Sequence, residues 1–300
     1  MKKKESISRK SFLVFNTVFM LFLIVIMVFP YINVLAKAFN DGADTAMGGI
    51  TVYPRAFTWE NFKTVVFDRA FPRAAVVSVL RTVIGTVIAL TVQLMAAYVF
   101  THKDLIGRGP MLVFLMIPMY FGGGLIPTYI LYSKLHLLNN YLLYILPACF
   151  NLYNMVIIRS YLNSLPAGLM EAAKIDGAGE YTILARIVVP LSKPIVATIS
   201  LWTAVGLWSD WTTTMYYFTN KKKFTLQYIL VQILKETQRI QDMIKQAALQ
   251  GESLSLSDFN VTTESVRCAQ IIVTTLPIVL VYPFLQKHFI RGVMIGAIKD

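Results

Sequence analysis

The sequence predicts an all-α polytopic membrane protein, with six transmembrane helices formed by one domain of 300 residues. Three observations predict it. Hydrophobic residues make up 56% of the chain. Charged residues make up only 15%, against about 25% in a soluble domain that must cover its surface. The apolar residues also fall into six blocks, each near or above the roughly 20 residues needed to cross the hydrocarbon layer.

The blocks cover about 12–35, 74–100, 110–132, 140–162, 195–218 and 268–287. The first follows a basic tail, as a signal peptide would. Its apolar run from Phe12 to Val28 exceeds the usual h-region of about 7–15 residues, and no small-residue cleavage site follows. It is read as a retained span. The second block carries Arg81, and the fifth carries Asp210 at a comparable depth from the same membrane face. Polar groups within spans are expensive and often functional. The two are expected either to pair or to share a water-filled outer cavity, unless Arg81 snorkels to the interface. The third block is interrupted by Gly122-Gly123-Gly124 and Pro127. A broken helix borders a cavity or is buried in protein, so a path-lining break and a packing kink both stand.

Net charge is +12, yet nucleic acid is not the expected partner, because no binding motif accompanies the charge and basic residues ordinarily flank membrane spans. Counted over the whole chain, Lys and Arg are nearly balanced between the two faces. Short segments carry the orienting signal. The compact ones are the N-tail with Lys2, Lys3, Lys4, Arg9 and Lys10, the loop with Lys103 and Arg108, and the C-tail with Lys287, Arg291 and Lys299. Both termini are therefore expected in the cytoplasm.

Between spans five and six, the outer segment 219–267 contains Leu226, Ile229, Leu230, Ile233, Ile240, Met243, Ile244 and Ala247 close to helical spacing. That is an amphipathic helix, serving either as a lid on its own domain or as a docking surface for an external partner.

Between spans four and five, residues 163–194 form a polar loop. Pro166 suits a first helical turn, where its missing N–H is no loss. A short amphipathic helix follows, with Glu171 and Lys174 three apart. Asp176 to Gly179 is a turn. A second amphipathic helix is expected to end at Pro190, and Pro194 opens the next span. Two short helices lying on the cytoplasmic face suit contact with a soluble protein.

The order Glu171-Ala172-Ala173, three residues, Gly177, nine residues, Ile187-x-x-Pro190 resembles the EAA loop of binding-protein-dependent ABC importer permeases. Val189 stands where that family commonly has Leu, a mild change. The ending Phe289, Gly292, Gly296, Lys299 is similar to the close of maltose-type sugar permeases. FGGGLIPTYILYSKLHLLNN and PLSKPIVATISLW look like the subfamily whose partners handle complex oligosaccharides, polysaccharides or lipid-linked sugars. Trp208-Ser209-Asp210 departs from the family's Trp-Asn in the fifth span.

The resemblance implies that residues 163–194 insert a coupling helix into an ATPase subunit, with Glu171 making a polar contact there. Ala172, Ala173 and Gly177 would allow close approach, and Asp176 belongs to the same turn. It implies a second homologous permease, two cytoplasmic ATPase subunits, an extracellular or periplasmic solute-binding protein, and a place in the bacterial cytoplasmic membrane. No GxxxxGK[ST] phosphate loop is present, so ATP and Mg²⁺ are expected on the partner subunits, with no cofactor and no catalytic residue in this chain. His102, His136 and His288 lie on separate loops, which argues against a metal site, and Cys149 and Cys268 sit in apolar blocks as buried thiols.

For the translocated sugar, Asn151, Asn154, Trp208, Asp210, Trp211, Arg81 and Gln93 are the substrate-path candidates. Amides satisfy hydroxyls and aromatic rings stack on sugar faces, although Trp also gathers at membrane interfaces. Trp202, Tyr216 and Tyr217 have the same chemistry. An importer of a non-sugar solute is an alternative. So is a secondary transporter, against which stands the lack of repeated halves and of an acidic relay.

Overall fold

The computed structural model describes residues 7–67, 70–249 and 264–296. Among them the structure is helical, with one isolated antiparallel bridge between Asn40 and Phe57. The chain forms two compact units, 1–69 with 232–275 and 70–231 with 276–300.

In the first unit, α1 runs Ile7–Ala38, about 48 Å at 1.5 Å per residue and long enough to cross a bilayer. Its apolar side chains from Phe12 to Tyr31 are largely exposed, as a lipid-facing helix requires. After it the chain folds into a small polar knot. Asp41 accepts the backbone N–H groups of Ala43 and Asp44 at 2.9 and 3.2 Å, which starts α2, Gly42–Ala46. Asn40 is fully buried. Its amide donates to Asp44 and Thr45 and accepts from Ala56 N. Asn61, on α3 (Glu60–Phe67), donates to the carbonyls of Ala38 and Asn40. Phe39, Phe57, Trp59 and Phe62 stack around this knot.

The second unit is built on α4, Ala70–Val99. The third block is two helices, α5 (Arg108–Tyr120) and α6 (Leu125–Lys134), meeting at 113°. Gly124 takes φ +81 at the break, a conformation glycine adopts without steric cost. At 13 and 10 residues, neither arm alone spans about 30 Å of hydrocarbon. The fourth block opens as 3-10 turns at Tyr141–Tyr144 and Leu146–Ala148, then bends by 46° into α7, Leu152–Leu162.

The loop 163–194 holds α8, Ala167–Ile175, and then α9, Glu180–Ile183. Helical winding continues as a π turn over Leu184–Val188 into α10, Val189–Leu191. The second loop helix therefore does not stop at Pro190 as expected. A proline removes one backbone donor and crowds the preceding turn, and the wider π turn just before it relieves that conflict. The chain breaks instead at Ser192, where it turns by 84° into α11, Lys193–Ser209.

The fifth block, expected to run to residue 218, stops as a straight helix at Ser209 and resumes as α12, Thr212–Tyr217. Then comes α13, Leu226–Leu249, the expected amphipathic helix. Leu226 and Leu230 are buried at its start, and Met243 is exposed. The last helix, α14, runs Glu264–Gly296 with Pro277 and Pro283 inside. Phe289, Gly292 and Gly296 fall on its closing turns, and Lys299 lies outside the described residues. Among the described residues three helices are long and apolar enough to span unaided, and up to six spans result if each bent pair is counted as one.

Within the second unit α4 packs on α7 and α11. Gly85 marks the closest approach: a Cβ there would meet Leu207 Cδ1 at 2.8 Å.

Candidate functional site

Two places carry the residues that the sequence singles out: the loop 163–194, and the polar groups along α4, α7 and α11. In the loop, α8 ends in a Schellman motif. Ala178 N–H reaches the carbonyl of Ala173 at 2.9 Å, and Gly177 N–H that of Lys174 at 3.0 Å. Gly177 has φ +79, the left-handed conformation this cap needs. Gly177 thus sets the turn, with Asp176 as the exposed residue before it.

Glu171 and Ala172 are exposed. Ala173 is 8% exposed and joins a core with Leu94, Ala97, Tyr98, Ile158 and Ile183. Its small side chain serves the seating of α8 on its own domain, a correction to the expectation that it opens the loop to a partner. Every fourth residue of a helix returns to one face, so Glu171 and Ala172 occupy the outer side.

Lys174 lies three residues after Glu171 but turns to another partner. Its Nζ pairs with Glu180 Oε1 at 2.7 Å rather than with Glu171. Glu180 is a hub: Tyr98 donates its hydroxyl to the other carboxylate oxygen, and His102 Nε2 lies 3.5 Å from it. The hydrogen bond from Lys174, and then that from Tyr98, hold the Glu180 carboxyl below the usual carboxylate range. Three elements therefore meet on one side chain: the end of α4, α8, and the first turn of α9. Sequence reasoning missed this hub. The available signals were an acidic first residue after a helix-starting glycine, and Tyr98 with His102 one helical turn apart.

The span residues separate into two clusters. Arg81 is 6% exposed and forms an ion pair with Asp210, with Nη1 donating to the Asp210 carbonyl at 2.9 Å. Its guanidinium lies 4.5 Å from the centre of the Tyr144 ring. Asp210 Oδ1 accepts from Thr212 N, Thr212 Oγ1 and Thr213 N. Arg81 faces the protein interior, and the pair bolts α4 to the break between α11 and α12.

The other cluster is a pocket of ≈ 330 Å³ lined by Gln93, Asn151, Asn154, Trp202, Thr203 and Gly206, among others. Gln93 is 1% exposed. Neither its Oε1 nor its Nε2 has a hydrogen-bond partner, and buried Thr203 Oγ1 is in the same position. Asn151 starts α7 by accepting the N–H of Asn154 at 3.0 Å. A buried amide without partners costs free energy, and a hydroxyl-rich ligand would satisfy it. Trp208 lines a separate apolar pocket with Val79 and Pro277. Trp211 sits at the helix break, and Trp202 is the indole that lines the pocket with the amides. Among the described residues no three His, Cys, Asp or Glu side chains are grouped to hold a metal ion.

Residues 5–295 match the family model described as binding-protein-dependent transport system inner membrane component. The chain is 34% identical over 282 residues to the polygalacturonan/rhamnogalacturonan transport system permease protein YtcP of Bacillus subtilis, covering 94% of this chain and 96% of that protein. It is 36% identical to Protein LplC of the same organism, covering 91% of this chain and 90% of the relative. Its fold is similar to a crystal structure of a bacterial ABC transporter involved in the import of the acidic polysaccharide alginate. The TM-score is 0.81 at 27% identity, covering 96% of this chain and all of the other.

Proposed function

Because this chain belongs to the family of binding-protein-dependent transport system inner membrane components, we propose that it carries an oligo- or polysaccharide across the bacterial cytoplasmic membrane as one permease subunit of an ATP-driven importer. The observation that carries the sugar reading is likeness over nearly the full chain to a polygalacturonan/rhamnogalacturonan permease. The unpartnered amide of Gln93 beside Asn151, Asn154 and Trp202 supports a path that accepts hydroxyls.

The complete importer in this proposal adds a second homologous permease, two cytoplasmic ATPase subunits that hold ATP and Mg²⁺, and an external binding protein that delivers the sugar. Both termini lie in the cytoplasm. The spans alternate between outward- and inward-open states, and the exposed face of α8, with Glu171 and Ala172, transmits the ATPase movement. A coupling surface must make different contacts in the two states, since a ligand or partner with equal affinity for both shifts nothing. The rigid Glu180 hub and the buried Ala173 make α8 move with α4 rather than independently.

The test is Ala172→Glu in the assembled importer, reconstituted in vesicles. Sugar uptake and sugar-stimulated ATPase activity should both fall by about tenfold or more, while the chain still inserts and assembles. Unchanged uptake overturns the coupling assignment. Uptake of a solute other than a saccharide, with intact coupling, overturns the substrate class alone.

A further inference from the structure

A groove at the Arg73 end of α4 borders the Arg81 cluster but has a role in neither site above. Its volume is ≈ 410 Å³, and its lining includes Arg73, Arg81, Lys222 and Tyr141 together with Val76, Leu80 and Ile84. Arg73, Val76, Leu80 and Ile84 follow helical spacing, so they form one stripe on α4 about 16 Å long. Val76, Leu80 and Ile84 are exposed, which leaves an apolar wall running from a cationic head toward mid-membrane.

Among the described residues the charge at that head is only partly offset. Asp210 offsets Arg81. Among the described residues no carboxylate pairs with Arg73 or Lys222. The Arg81 Nε is buried and has no hydrogen-bond partner. An apolar wall below two cations that no described carboxylate pairs does not suit a hydrated sugar, whose hydroxyls would find few acceptors. Tyr144 is already engaged, its hydroxyl bonded to Thr214 and to the carbonyl of Lys223.

We propose that this groove binds an anionic phospholipid, with its phosphate between Arg73 and Lys222 and an acyl chain along Val76, Leu80 and Ile84. Cations near a membrane surface favour anionic lipid over zwitterionic lipid. Tyr141 supplies an interfacial aromatic at headgroup level. The inference rests on the membrane-spanning fold and does not depend on which solute is transported.

The experiment uses the full chain in detergent and native mass spectrometry, with phosphatidylglycerol or phosphatidylcholine of identical acyl chains added. Wild type should retain phosphatidylglycerol about tenfold better. The double variant Arg73→Gln/Lys222→Gln should lose that preference, and Arg73→Lys/Lys222→Arg should keep it. Equal retention of the two lipids by wild type overturns the proposal, whatever the variants do. So does an undiminished preference in the Gln variant. Displacement of the lipid by millimolar inorganic phosphate alone would show a bare anion site and would also overturn it.

Discussion

Arg81 with Asp210 and Gln93 with Asn151 are two polar clusters along the same helix packing, each around one buried side chain, and they are finished differently. Around Asp210, both carboxylate oxygens and the backbone carbonyl have donors. Around Gln93, both amide atoms are buried without a partner, in a residue that lines a pocket. Buried charge is tolerated only when it is paired and hydrogen-bonded, so the first cluster, with its carboxylate fully met although the Arg81 Nε lacks a partner, reads as a structural bolt. The second is incomplete without a ligand or water, which is the signature expected of a surface that something passes. Residue type alone does not separate them, because intramembrane polarity flags both.

The largest expected effect comes from breaking the bolt. Arg81→Leu strands the Asp210 carboxylate and should cost about 3–5 kcal/mol, seen as a steep loss of folded yield and a lowered thermal midpoint. Adding Asp210→Asn removes the stranded charge and keeps the acceptor for Thr212 and Thr213, so most of the loss should return. If the double variant is as unstable as the single one, the ion pair is not what holds this junction.

Changing the open cluster should do the reverse. Gln93→Leu removes two unsatisfied buried atoms, so the thermal midpoint should hold or rise, by about 1 kcal/mol at most. Sugar uptake should fall about tenfold, corresponding to the loss of about 1.4 kcal/mol of ligand contact. A stable variant with wild-type uptake would remove the pocket from the transport path and erase the contrast between the clusters.

The contrast also shows how far the sequence can be read. Arg81 and Asp210 could be matched because each announces its depth within an apolar block, and opposite charges at one depth have few other partners. Gln93 and Asn151 could not be joined that way. Neutral amides have no obligatory partner, and their convergence depends on a 46° bend between the 3-10 turns and α7. Bends were the weak point elsewhere as well. The glycines at 122–124 announced an interruption but not its angle of 113°. Pro190 looked like a helix end because no pattern distinguishes an α turn from the π turn that accommodates it. The loop boundaries and the turn at Gly177 were legible, since left-handed caps demand glycine. The inward face of Ala173 was not, because alanine fits a protein core and a partner groove equally well.

That turn provides a smaller effect. Gly177→Ala forces an L-residue into the left-handed region, at about 1 kcal/mol, with open space around the added methyl. The cost should therefore be local. Limited proteolysis between Asp176 and Gly179 should speed up about fivefold, while the thermal midpoint of the whole chain stays nearly unchanged.

The smallest effect belongs to Glu180, where the geometry of the loop is held by partly exposed charge. Its carboxyl titrates below the usual range in the folded chain, chiefly through the hydrogen bond from Lys174. A depressed carboxyl contributes stability that is present above the unfolded value near 4.5 and is lost as pH falls through the folded one. The hub should therefore be constant at neutral pH and weaken only below about pH 4.5. Glu180 and Lys174 are about half exposed, so solvent screening limits the contribution to about 0.5 kcal/mol. Glu180→Gln should remove that acid dependence and leave the neutral-pH midpoint almost unmoved. The ratio of sugar moved to ATP hydrolysed should drop by about twofold, because α8 loses a tie to α4. A purely structural role predicts no change in that ratio. The measurement thus separates a charge that only secures the loop from one that keeps it moving with the spans.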